Sequence, residues 1–154
     1  MSKQRKLYSP LPQGMSLIEL MVALVIIAII SSVAYPSYQS HMAGARRADA
    51  QAVLIEAAAF MERFYTENNR YDQDTGGTAV ALPAQLAESP RDTGTKAYDI
   101  VVQASTASSF TLRATPKNMQ AGDGFLEITN TFAKAWDSNN NGTIGSGEAS
   151  WAQS

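Results

Sequence analysis

Cysteine is absent from the 154 residues, which excludes a disulfide anywhere in the chain and removes any redox evidence about compartment. There is one histidine, His41, so neither a Ser-His-Asp triad nor a multi-histidine metal site can be assembled within a single chain. Basic charge is also scarce. Of 12 basic residues against 14 acidic ones, Lys3, Arg5 and Lys6 precede Gly14, and the 140 residues that follow Gly14 carry nine against fourteen, a net charge of −5. That balance argues against a nucleic-acid partner, although local basic patches remain open. There is no internal repeat, and the length suits one membrane helix plus a single small domain.

What the chain does have is one long apolar run. From residue 17 to residue 35 the only formal charge is Glu19. About twenty apolar residues are enough to cross a bilayer, and an acidic side chain within them costs roughly 2.5–3.5 kcal/mol on insertion scales. Ionisable residues in such segments are usually kept for a function. The basic leader, residues 1–14, holds the start of the chain on the cytoplasmic side and sends the remainder outward. An ordinary secretory signal would be cleaved after the run, at Ser32-Val33-Ala34, and would leave Glu19 unexplained.

The segment Gly14-Met15-Ser16-Leu17-Ile18-Glu19-Leu20 resembles the N-terminal signature of type IV prepilins: a basic leader ending in glycine, a hydrophobic first mature residue, and glutamate as the fifth. Methionine replaces the commoner phenylalanine at the first mature position. The resemblance implies that prepilin peptidase cuts between Gly14 and Met15 and methylates the new amino terminus. It also implies that Glu19 pairs with the amino terminus of a neighbouring subunit. An unmatched charge in apolar surroundings is costly and a matched one is attracted strongly, which suits that role. Related pilins also carry a proline at the distance of Pro36 from the cut.

Helical patterning continues from Ser16 to about Asn68-Asn69, predicting one element of about 50 residues and 75 Å. Pro36 lies inside it, where its ring and missing amide predict a kink, and Gly44 is a second soft point. Beyond Gly44 the helix becomes amphipathic, with Val53, Ala57, Phe60 or Met61, and Phe64 at helical spacing. Residues 71–96 read as a long connection with a short helical turn at 84–87. Strands are expected at 98–104, 110–115, 125–129 and 134–136, at spacings that favour an antiparallel meander. The predicted fold is therefore α+β, a long N-terminal helix packed on an antiparallel sheet of about four strands, which is also the pilin architecture. Its parts are the leader 1–14, a transmembrane and assembly helix 15–40, and a periplasmic domain 41–154.

Near the C-terminus, residues 137–148 fit every specified position of the twelve-residue calcium-loop template. The side chains of Asp137, Asn139 and Asn141, the Thr143 carbonyl, water near Gly145 and both oxygens of Glu148 would supply the donors, with Gly142 at the bend. Two carboxylates place such a site in the weak class of extracellular modules, on the order of 10⁻⁴ to 10⁻³ M. The same residues also read as a polar loop with a hairpin turn at Asn141-Gly142. The sequence shows no obvious helix on either side of the loop, so an isolated calcium loop is expected rather than a paired EF-hand. In the family, a disulfide often bounds this segment, and calcium here would replace it.

Arg46 and Arg47 read as a charged helix face meeting an acidic neighbour, or as contacts to phosphate. Asp72, Asp74 and Asp123 read as solvated loop carboxylates, and Trp136 and Trp151 as packing that closes the calcium-like loop. The expected function is non-enzymatic. The chain would be a minor pilin held in the inner membrane, then assembled with other pilin subunits by the pilus machinery for motility or adhesion. The alternatives are a DNA-uptake receptor within such a filament and a type II secretion pseudopilin.

Overall fold

The computed structural model describes residues 14–92 and 94–152, so the leader assigned to residues 1–14 lies outside the described residues except for Gly14. Helix α1 runs from Leu17 to Asn68, 52 residues, and is unbroken at Pro36. It ends at Asn69, whose φ of +57° is left-handed and whose N–H bonds back to the Tyr65 carbonyl at 2.7 Å. Asparagine tolerates that conformation through its short polar side chain, and this stops the helix.

Two compact units divide the chain at Gln39/Ser40. In the first, every side chain of α1 is exposed, which matches its all-round apolar sequence. In the second, α1 becomes one-sided: Ala50, Val53, Leu54, Ala57, Ala58 and Met61 are buried at three- and four-residue spacing, the stripe an amphipathic helix lays on a core.

The sheet has five antiparallel strands in sequential order: β1 Glu88–Ser89, β2 Tyr98–Ser105, β3 Phe110–Pro116, β4 Leu126–Thr129 and β5 Lys134–Trp136. The meander is as expected. The addition is β1, inside the stretch read as a connection. Two residues carry no alternation, so only their pairing with Asp99 and Tyr98 of β2 identifies them. A 3₁₀ turn at Ala84–Leu86 falls where a helical turn was predicted.

Alternation sets the faces. In β3, Phe110, Leu112 and Ala114 are buried between partly exposed Thr111 and Arg113. Ile100, Ala114, Leu126 and Trp136 align as one cross-strand row on the same side. A bulge between Val102 and Ala104 places one extra residue in β2, and pairing resumes one residue out of the earlier register at Ala104↔Thr111 and Ser105↔Phe110. These side chains join the helix stripe, Tyr71 and Leu86 in one core. Tyr71 stacks on Tyr65 and meets Phe110 edge-on.

Candidate functional site

Every residue from 14 to 41 is exposed, and the apolar window of α1 has a mean hydropathy of 2.7 with none of it buried. Glu19 lies in the first helical turn, where the helix dipole favours an anion. None of the ion pairs among the described residues involves Glu19, so its charge is available to a partner. Gly14 and Met15 precede the helix and are exposed.

The second feature was not visible in the sequence. Arg47, on α1, grips Asp123 with two bonds, Nε–Oδ2 at 2.7 Å and a short contact from Nη2 to Oδ1. Its guanidinium also lies 3.7 Å from the centre of the Trp136 ring. Asp123 accepts from the Tyr98 hydroxyl as well, and its backbone carbonyl accepts the indole N–H of Trp136 at 2.7 Å. Gln120 donates to the Ala43 carbonyl and to Tyr98. Burial, then the Asp123 carboxylate, pushes the Tyr98 phenol well above its ordinary value.

Two sequence readings are corrected by this cluster. Asp123 is not a solvated loop carboxylate but the hub between helix, loop and β5, and Arg47 is taken up inside the molecule rather than offered outward. Asp72 and Asp74 are engaged too. Asp72 pairs with Arg70, while Asp74 accepts the N–H groups of Gly76 and Thr78 at 2.8 Å each. The Arg47–Asp123 pair joins residues 76 positions apart in the chain, and no local motif signals such a pair.

The third feature is the C-terminal loop. Asp137 directly follows β5 and is fully buried, and Glu148 is 6% exposed. The Asp137 carboxylate accepts the N–H groups of Asn141 at 3.0 Å and Gly142 at 2.8 Å. Asn139 Oδ1 accepts the same Asn141 N–H at 3.0 Å, and Asn141 Oδ1 accepts from Thr143 at 2.9 Å. From the far end, Glu148 accepts from Gly145 at 2.7 Å, Ser138 Oγ at 3.0 Å and the Asn139 N–H at 3.2 Å. Those donors, the Gly145 N–H first, hold its carboxyl below the usual range against the opposing effect of burial. All five side chains or carbonyls expected to act together, at 137, 139, 141, 143 and 148, therefore lie on one closed loop. Trp136 is buried at its start. The Trp151 indole N–H spans the Glu127 and Ala135 carbonyls at 3.1 Å each.

Of the nine basic residues after Gly14, Arg47, Arg70, Arg91, Arg113 and Lys117 are ion-paired. Lys96 donates to the Pro90 and Arg91 carbonyls, and Lys134 lies over the Trp151 ring. Arg46 and Arg63 form no ion pair among the described residues.

A long helix, apolar and exposed in its first half and packed on an antiparallel meander in its second, defines the pilin class. The comparisons specify it further. Residues 12–35 match the prokaryotic N-terminal methylation motif, and residues 36–128 match the family described as type IV minor pilin ComP, DNA uptake sequence receptor; the chain belongs to that family. It is 29% identical over 73 residues to the type IV major pilin protein PilE1 of Neisseria gonorrhoeae. That match takes in 47% of this chain and 44% of the relative, so the chain spans under half the length of the curated relatives it matches. The non-core minor pilin PilV of Neisseria meningitidis has the same fold, with a TM-score of 0.50 at 19% identity, over 69% of this chain and 97% of that one.

Proposed function

We propose that this type IV minor pilin waits in the inner membrane with its globular part in the periplasm. Prepilin peptidase cleaves it between Gly14 and Met15 and methylates Met15, and the pilus machinery then assembles it with other pilins through α1. The observation that carries this reading is Glu19, a charge with no ion pair among the described residues, in the stretch of α1 from residue 17 to residue 39, whose apolar side chains are all exposed. In lipid such a charge costs free energy, and beside the amino terminus of a neighbouring subunit it becomes matched. The role is structural rather than catalytic. Glu19→Ala is expected to insert into the membrane as well as wild type or better and to be depleted from sheared pili. Quantitative mass spectrometry of both fractions measures this, and unchanged incorporation would overturn it.

The family match favours a second reading, a DNA receptor carried on the same filament. It runs against the acidic balance of the sequence, and five of the nine basic residues are already neutralised by acids. Phosphate contacts would therefore fall to Arg46, Arg63, Lys96 and Lys134. The test is gel retardation of duplex DNA by the full chain, with Arg46→Ala/Lys134→Ala against wild type. Arg47 is a poor probe, because replacing it breaks the Asp123 cluster. Retardation that the double variant weakens and salt abolishes supports the receptor, and no retardation at low salt removes it.

A further inference from the structure

The geometry points to a calcium site in the C-terminal loop, residues 137–148, whose filling braces the junction between β5, Asp123 and α1. This goes beyond the pilin reading and does not depend on it.

The first observation is where the oxygens lie. Asp137 and Asn139 accept the same Asn141 N–H, at 3.0 Å each, which holds their side-chain oxygens side by side. Glu148 reaches back across the loop to the Asn139 N–H. The first, third and last positions of the twelve-residue template are thus drawn together by the backbone. Each Asp137 carboxylate oxygen accepts one of these bonds and keeps a lone pair for a metal.

The second observation is independent of the loop's shape and concerns charge. Asp137 is 0% exposed and Glu148 6% exposed, so both carboxylates are withdrawn from water. Neither takes part in any ion pair among the described residues. The sequence offers no lysine, arginine or histidine after Lys134. Buried carboxylates are ordinarily paired with a cation or bound to a metal. Two of them on one loop, with only neutral amide and hydroxyl donors, leave a local charge that a divalent cation would cancel.

The donor set selects the ion. Carboxylate, amide and carbonyl oxygens without sulfur or imidazole suit a hard cation and disfavour zinc or copper. A loop offering side-chain and main-chain oxygens at variable distances suits calcium, whereas magnesium demands a rigid octahedron. With only two carboxylates the affinity belongs to the range on the order of 10⁻⁴ to 10⁻³ M.

The consequence lies outside the loop. Asp137 N donates to the Phe125 carbonyl at 3.0 Å and Trp136 N to the Glu148 carbonyl at 2.9 Å. Trp136 in turn holds the Asp123 carbonyl and underlies Arg47. Calcium drawing Asp137 and Glu148 together therefore tightens the strand end on which the Arg47–Asp123 pair rests, as a covalent cross-link would.

The full chain in detergent, stripped with chelator, is the material for the test. Terbium, a calcium mimic, is added and its luminescence excited through the tryptophans, with Trp136 adjacent to the first ligand. Calcium is then titrated in competition, and melting temperatures are recorded in chelator and in millimolar calcium or magnesium. Expected are sensitised terbium emission, its displacement by calcium, and a rise in melting temperature with calcium that magnesium does not match. Glu148→Gln should abolish these responses. Asn139→Asp, at an exposed side chain where folding is not at risk, should move the calcium midpoint to lower concentration. Melting and luminescence indifferent to calcium overturn the proposal. So does a response preserved in Glu148→Gln, or an equal response to magnesium. Should Glu148→Gln fail to fold, an unmoved midpoint in Asn139→Asp overturns it.

Discussion

Gly124 and Gly142 both adopt left-handed backbone, with φ of +75° and +85°, but their surroundings differ. A Cβ at Gly124 would fall 1.7 Å from the Asp137 carbonyl oxygen, whereas one at Gly142 meets nothing within 4 Å. The pair separates the cost of a conformation from the cost of a collision. Gly142→Ala is expected to lose about 1 kcal/mol, the penalty for left-handed backbone with a side chain. Gly124→Ala adds the displacement of the strand end at Asp137, roughly 1–3 kcal/mol more by the measure of overpacked interiors. Denaturant unfolding of the two variants measures the difference, and equal losses would mean that the Asp137 carbonyl yields freely. Gly142 was legible in the sequence, because Asn-Gly inside a polar stretch signals a turn. Gly124 was not, since what makes it necessary is the carbonyl of Asp137, just past the end of β5.

Among the elements, α1 and the later strands were readable because each carries a period: 3.6 after Gly44, and two along β3. The two-residue β1 escaped because pairing rather than pattern defines it. The join between elements escaped for the same reason. Arg47 reads in sequence as surface charge, yet it and Asp123 have side chains only 14% and 11% exposed. Removing either partner leaves the other charged and largely desolvated, a cost of about 3 kcal/mol at the low end for buried pairs. Removing both should cost less than the sum of the single losses, because neither then has an unmatched partner. A double-mutant cycle of Arg47→Ala and Asp123→Ala, followed by thermal unfolding, is expected to give a coupling of at least about 1 kcal/mol. Additive losses would reduce the pair to a surface contact. The cycle is best run at fixed calcium, since the loop after Trp136 bears on the same cluster.

For the whole molecule, the division of labour follows from where apolar surface is covered. Among the described residues, the buried apolar side chains lie between Ala50 and Trp136, while Met15, Leu17, Ile18 and the rest of the run to Tyr38 are exposed. An exposed apolar surface of that extent is not stable in water and requires lipid, detergent or other subunits around it. The core requires none of them. A chain beginning at Ser40 is therefore expected to be monodisperse without detergent and to unfold cooperatively at the temperature of the full chain in detergent. The full chain should aggregate when detergent is withdrawn. Sedimentation and thermal circular dichroism on the two chains are the measurements. Loss of cooperative melting on truncation would show that the residues before Ser40 contribute to the fold itself, and would remove the basis for assigning them to membrane and filament alone.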